Sequence, residues 1–352
     1  MAFVGLTIGV LAVYLVTKGN PANMGFCIAC FLRDMAGGLG FHRADVVQYV
    51  RPEILGLSIG AFGAAFLGKE FKARGGSSVM VRFLMGVFMM IGALVFLGCP
   101  LRDMIRIGGG DLNAVVGLAG FIVGILWGIF FLKRGFDLGA ARPETNSQAG
   151  GYVYIVVILG LLGLLVAGFS INPKAGGPLF FSTSGPGSMH APILIALGAG
   201  LVVGFLAQKA RLCLSGGFRD FFLVGAKGML LAYGGILVAV FVLNLALGKF
   251  NLGFADQPIA HTNHIFNFLG LFLVGQAAVL LGGCPLRQLV LSSEGDMDAA
   301  VAVLGMVAGA AISHNFLMAS SGAGTTTYGE IGVLAGIVIL SLLGWLYREV
   351  EA

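Results

Sequence analysis

Five cysteines, Cys27, Cys30, Cys99, Cys213 and Cys284, are the residues of this chain whose type and placement could do chemistry. A thiol is a soft, weak hydrogen-bond donor suited to contact with a polarisable sulfur or selenium atom. It can exchange with a sulfane sulfur and hold it as a persulfide, or ligate a soft metal such as copper(I) or zinc. A lone buried cysteine is ordinarily only a small apolar side chain. Here the placement argues for more, because the cysteines recur in two matched sets. Cys27-Ile28-Ala29-Cys30-Phe31-Leu32-Arg33-Asp34 resembles Cys213-Leu214-Ser215-Gly216-Gly217-Phe218-Arg219-Asp220, and Gly98-Cys99-Pro100-Leu101-Arg102 returns as Gly283-Cys284-Pro285-Leu286-Arg287. The first motif repeats after 186 positions and the second after 185. Asp111 and Asp296 each follow the second cysteine by twelve residues, and the pair Gly120 and Gly124 returns as Gly305 and Gly309. Two motifs at one offset of half the chain length indicate a duplication. Cys30 breaks the symmetry, since Gly216 stands in its place.

An odd number of cysteines, four of them in or beside apolar segments, argues against a disulfide framework. Cys27-x-x-Cys30 alone is a weak metal or redox signal because a second dense ligand pair is missing. Arg33, Arg102, Arg106, Arg219 and Arg287 fall on or next to the cysteine segments. Together they would draw an anion into both mouths of a path, with Arg33, Arg102, Arg219 and Arg287 the candidate attracting groups. Asp34, Asp111, Asp220 and Asp296 are near enough to pair with them, which would make the charges structural anchors instead. No nucleophile–base–orienter set, phosphate loop or run of proton-relay carboxylates within the spans is present, and the sequence predicts a protein that is not an enzyme and holds no cofactor or resident metal. His261 and His264 fall in a connector and are expected to be solvated; His314 ends an apolar run as an interfacial residue.

The elements that must position these residues follow from composition. Of 352 residues, 58% are hydrophobic and only 11% charged, and 58 are glycine. A soluble domain carries about a quarter charged residues, whereas long uncharged apolar runs are membrane-spanning helices. The net charge of +5 reflects basic residues between spans rather than a nucleic-acid surface. The first apolar run follows Met1 without a basic leader, so no cleaved signal is expected. Predicted spans are 2–17, 46–68, 80–98, 112–133 and 151–170, then 189–208, 228–248, 265–283, 297–318 and 329–347. Four stretches, 23–36, 99–107, 212–226 and 284–293, are too short or too polar to cross and read as re-entrant segments. The expected fold is an all-α polytopic membrane protein with two inverted repeats, about ten transmembrane helices and four short re-entrant helices. Residues 1–170 form the first repeat, 171–188 an external linker and 189–352 the second, five crossings per half turning one over relative to the other. Lys69, Lys72, Arg74, Lys133, Arg134, Arg142, Lys209, Arg211 and Arg348 all fall on one side, which places both termini in the cytoplasm. The other side has Lys174 in the linker and no charge in 319–328, with Lys18, Arg43 and Arg51 as exceptions. Glycine stripes at Gly56, Gly60, Ala64 and Gly68 and at Gly120, Gly124 and Gly128 read as close helix contacts. Gln276, Asn244 and Asn267 lie within spans and need hydrogen-bond partners.

With its paired Gly-Cys-Pro-Leu-Arg motifs, the chain resembles the YeeE/YedE family over essentially its whole length. Asn20-Pro21-Ala22-Asn23-Met24-Gly25-Phe26-Cys27-Ile28-Ala29-Cys30 resembles the YedE branch, associated with selenium metabolism. The resemblance implies a bacterial inner-membrane protein whose relatives take up thiosulfate past a series of cysteines, and it assigns that role to Cys27, Cys99 and Cys284. Cys213 joins them by internal symmetry, and Cys30 departs from the thiosulfate pattern. Expected partners are a small sulfur or selenium anion, such as thiosulfate, selenite or selenosulfate, and the lipid bilayer. Two other readings stay open: a membrane carrier passing a Cys-bound persulfide or selenide to a cytoplasmic sulfur- or selenium-handling protein, and a soft-metal transporter.

Overall fold

The computed structural model describes residues 1–144, 148–170 and 178–348; Lys174, in the expected linker, lies outside them. The described chain runs α1 (Ala2–Thr17), α2 (Ile28–Gly38), α3 (Pro52–Leu67), α4 (Val79–Phe96), α5 (Pro100–Gly108), α6 (Leu112–Leu132), α7 (Ala149–Ser170), α8 (Ile193–Lys209), α9 (Leu214–Val224), α10 (Gly228–Ala246), α11 (His264–Leu280), α12 (Pro285–Ser293), α13 (Met297–Asn315) and α14 (Thr327–Leu346). Two-residue strands, β1 (Arg74–Gly75) and β2 (Arg142–Pro143), pair antiparallel. Among the described residues, eight helical stretches are long and apolar enough to cross a bilayer, and α1 and α3 are shorter apolar helices. The chain is an all-α polytopic membrane protein.

Helix ends follow local chemistry. Residues 46–51, expected inside a span, precede it: Pro52 is fixed for the first helical turn, and Arg51 before it is extended. The Gly-Cys-Pro-Leu-Arg motif makes the same break twice. Before it, Leu97 at φ +64° and Gly282 at φ +80° turn the chain out of the preceding helix. Cys99 and Cys284 are extended N-caps, and Pro100 and Pro285 open the next helix. Gly98 and Gly283 carry no side chain because the stems of Arg102 and Arg287 lie where a Cβ would stand. Asp111 and Asp296 then cap α6 and α13, accepting from Asn113 N at 2.9 Å and Ala299 N at 3.0 Å.

The most extensive helix pairings have counterparts when the two halves are exchanged. If α1–α7 correspond to α8–α14, the contact of α3 with α8 answers that of α10 with α1, α6 with α11 answers α13 with α4, and α5 with α10 answers α12 with α3. The glycine pairs serve this pattern. Gly120 and Gly124 of α6 lie on the backbone of Phe268 and Phe272 of α11, and Gly305 and Gly309 of α13 on Phe83 and Val87 of α4. Gly56 and Gly60 meet α8 at Leu197 and Leu201. In lipid, where no hydrophobic effect joins helices, such backbone approach supplies much of the association. Gly124→Val would drive a branched side chain into the Phe272 carbonyl. We expect a stability loss of about 2 kcal/mol or more, read as a lowered midpoint in detergent denaturation; an unchanged midpoint would show that α6 and α11 separate freely.

The ends of the short helices reach different loops. Beyond α5, Asn251 N donates to Gly109 O at 2.9 Å and Leu112 N to Gly253 O at 3.0 Å; beyond α12, Lys72 N donates to Glu294 O and Arg74 N to Gly295 O, both at 3.0 Å. The described part of the linker folds onto the first half, with Phe180 N donating to Gly38 O at 2.9 Å.

Candidate thiol-lined centre

Each of the four symmetric cysteines is the N-cap of one short helix: Cys27 of α2, Cys99 of α5, Cys213 of α9 and Cys284 of α12. The sequence puts them there because each stands in extended conformation just before a short helical run. Cys27 Sγ accepts from Cys30 N at 3.3 Å and Cys213 Sγ from Gly216 N at 3.2 Å, the bond an Asn or Ser N-cap makes with oxygen. All five thiols are buried and free.

The structure joins these termini in pairs. Cys27 Sγ and Cys99 Sγ are 3.9 Å apart, joining α2 to α5. Cys213 and Cys284 interact side chain to side chain, and Leu214 N donates to Cys284 Sγ at 3.4 Å, joining α9 to α12. Near both pairs is Tyr233 of α10, which its sequence context does not single out. Its ring packs edge-on against Phe218, and its buried hydroxyl has no hydrogen-bond partner. That hydroxyl lies within electrostatic reach of Cys284, Cys213, Asp103 and Cys99. No sequence signal marks Tyr233, since one tyrosine in an apolar helix looks like any aromatic facing lipid. Four helix N-termini, each carrying partial positive charge and unpaired N–H groups, thus approach one buried region beside four polarisable thiols. Such a region suits a soft anion held by weak successive contacts.

Cys30 belongs to the first pair's surroundings. It interacts with Cys27 and takes Arg102 Nη1 at 3.5 Å. Arg102 is fully buried, and its guanidinium also donates to Leu97 O, to Asn23 O at 2.9 Å and to Ile259 O at 3.1 Å. The other candidate arginines have carboxylate partners: Arg33 with Asp34 at 2.7 Å, Arg219 with Asp220 at 2.8 Å and Arg287 with Glu294 at 3.1 Å. Arg106 pairs with Asp111 at 2.7 Å, and Asp296 pairs with Arg74 at 2.9 Å rather than with an arginine of its own segment. Among the described residues, Arg102 is the one candidate arginine with no ion-pair partner. Arg51, an exception in the loop-charge pattern, is buried on Asp34 and holds the carbonyls of Pro186 in the linker and of Met189 just after it.

His261 differs from expectation. Only 2% exposed, it places Nε2 2.8 Å from Val95 O, because the connector folds down onto the end of α4. Burial lowers its pKa, so the ring is neutral near pH 7. His264 is exposed and packs on Phe254, and the His314 ring lies tilted against His42, with centroids 4.5 Å apart. Gln276 donates to Ser341 Oγ at 3.0 Å and Asn267 to His261 O at 2.9 Å. Asn244 helps line a cavity of about 100 Å³ with Asn23, Lys249 and Asn251. Among the described residues no group of three or more His, Cys, Asp or Glu could hold a metal ion.

The fold and its centre define a multi-pass α-helical membrane protein with a thiol-lined interior. Residues 209–347, which include α9, α12, Cys213 and Cys284, match the family described as Sulphur transport. A stretch of 108 residues is 30% identical to the thiosulfate transporter TsuA of Escherichia coli (strain K12), and covers 30% of this chain and 30% of that relative. These matches support the resemblance to the YeeE/YedE family. Neither match bears on the selenium branch.

Proposed function

We propose that the protein imports a small sulfur- or selenium-containing anion through the bacterial inner membrane, along a path marked by Cys27, Cys99, Cys284 and Cys213 with Cys30 beside it. One observation carries this reading: four N-capping thiols meet in two buried pairs, where four helix ends offer positive potential without water. The two halves, 1–170 and 189–352, act as inverted repeats joined by the external linker, with both termini cytoplasmic. The self-matching helix pairing and the opposite loops reached by α5 and α12 support that arrangement. A soft thiol can contact the terminal sulfur of thiosulfate while N–H groups face its oxygens. Arg102 is the arginine best placed to stabilise the anion near the first thiol pair, while Arg33, Arg219 and Arg287 mark the mouths. Thiosulfate is the first substrate to test because of the relative's function; selenite and selenosulfate follow from the resemblance to the YedE branch.

The test is uptake of radiolabelled thiosulfate, selenite and selenosulfate into proteoliposomes of the purified protein. Saturable entry of at least one is expected, and absence of entry for all three would overturn the transport reading. The contact between Cys27 and Cys99 also suits a second reading, transfer of a sulfur atom between thiols to a cytoplasmic partner. There a thiolate attacks the outer sulfur of thiosulfate, forming a persulfide and releasing sulfite. Intact-protein mass spectrometry then finds one added sulfur on a cysteine, whereas transport alone leaves the thiols unmodified.

A further inference from the structure

Asp103 stands in the first turn of α5, one turn beyond Cys99. It is fully buried, and neither carboxylate oxygen has a hydrogen-bond partner. The neighbouring cations are committed elsewhere. Arg102 clamps three carbonyls and Cys30. Arg106 gives Nε to Asp111 and Nη1 to Phe96 O at 3.0 Å, stacks on the Phe96 ring, and leaves Nη2 without a partner. The position matched by the repeat, Gln288, is satisfied: its amide donates to Leu281 O at 3.3 Å and Gly283 O at 3.2 Å. The two halves differ here as they do at Cys30. One half holds a satisfied neutral amide; the other holds an unsatisfied acid beside the thiol centre.

We infer that Asp103 is the proton-binding site that couples anion uptake to proton entry. This rests on the transport reading above. A buried carboxylate without partners is costly as an anion and far less so as a neutral acid, so the site favours binding one proton. The groups facing it are Cys99, Arg102 and Arg106 on its own helix, Asp111 at the start of α6 and Tyr233 on α10. Arg219 and Asp220 of α9 are paired with each other, and His261 lies beyond Arg106. Tyr233 links the site to the thiols, because its unpartnered hydroxyl lies within electrostatic reach of Asp103 and of both cysteine pairs. The need for coupling is physical. Each negative charge carried into a cell against 100 mV costs roughly a fifty-fold concentration ratio, so one proton moving with a divalent anion removes one of the two such costs. In the cycle, Asp103 takes a proton from the outer side and the anion enters. The proton then leaves to the inner side with the anion; no bond to sulfur forms and no electron moves.

The test uses the full-length protein in liposomes loaded with a pH-sensitive dye. External thiosulfate should acidify the lumen, and an inward proton gradient should raise thiosulfate uptake at least fivefold. In Asp103→Asn, which keeps the shape of the neutral acid, the acidification and the gradient's effect should vanish and net uptake should fall more than tenfold, with thiosulfate exchange still measurable. Asp103→Glu should keep proton movement, which guards against a variant that merely fails to fold. Uptake by the wild type without acidification, uptake driven by sodium alone, or acidification persisting in Asp103→Asn would each overturn the inference while leaving transport standing. If the wild type takes up none of thiosulfate, selenite and selenosulfate, the transport reading and this inference fall together.

Discussion

Cys99→Ser is expected to cut thiosulfate uptake by at least about tenfold with the fold intact, because a hydroxyl replaces a soft sulfur contact with a hard, strongly hydrated one. Cys284→Ser should do the same. Local structure should survive both changes. Neither thiol makes the N-cap bond of its own helix, and a serine oxygen can accept from Leu214 N where Cys284 Sγ does at 3.4 Å. Cys27 and Cys213 do make that bond, and serine caps a helix well, so Cys27→Ser and Cys213→Ser should fold at least as well as the wild type. The four variants therefore separate capping from chemistry. The measurement is initial uptake rate per folded protein, with size-exclusion profiles and denaturation midpoints as the check on folding. A Cys99→Ser protein that transports within twofold of wild type would end the idea that the thiols form the path.

The second large effect is expected at Arg102. Arg102→Met removes a fully buried cation that holds carbonyls from three separate parts of the chain, those of Asn23, Leu97 and Ile259, as well as Cys30. A hydrogen bond to a charged group contributes about 1.5–3 kcal/mol. With three carbonyls released, we expect a stability loss of about 3–5 kcal/mol and uptake at least a hundredfold lower. Arg102→Lys separates the two roles. It keeps the charge but cannot reproduce the planar fork, so it should lose stability yet regain part of the uptake at a temperature where it stays folded. Equal uptake by Arg102→Lys and Arg102→Met would show that Arg102 is only a clamp, and that its charge does not serve the anion.

Several features were legible in the sequence because they depend on neighbouring residues alone. The apolar runs, the two prolines that open α5 and α12, and the N-cap aspartates at Asp111 and Asp296 are local signals, and the structure places helices within a few residues of them. The boundary at α3 slipped because a hydropathy pattern does not register the stop imposed by Arg51 before Pro52. Arg33, Arg219 and Arg287 were grouped with Arg102 because all four share a motif, but the motif does not say which ones meet a carboxylate. His261 was expected in solvent because nothing in a connector's sequence shows whether it folds back onto a helix end.

By itself, the sequence indicated a helical membrane protein in which matched Gly-Cys-Pro-Leu-Arg segments stand in stretches too short or too polar to cross. Those properties come from composition, spacing and the fixed backbone preferences of glycine and proline, which act within a few residues. Only the tertiary structure decided that Cys27 meets Cys99 and that Cys213 meets Cys284. It also decided that Tyr233 lies near both pairs and that Asp103 is left without a partner beside committed arginines. Those relations join helices far apart in the chain, and they arise from which glycine faces let which backbones approach. Whether a buried acid finds a donor is set by the packing of every helix around it, not by the residues next to it in sequence.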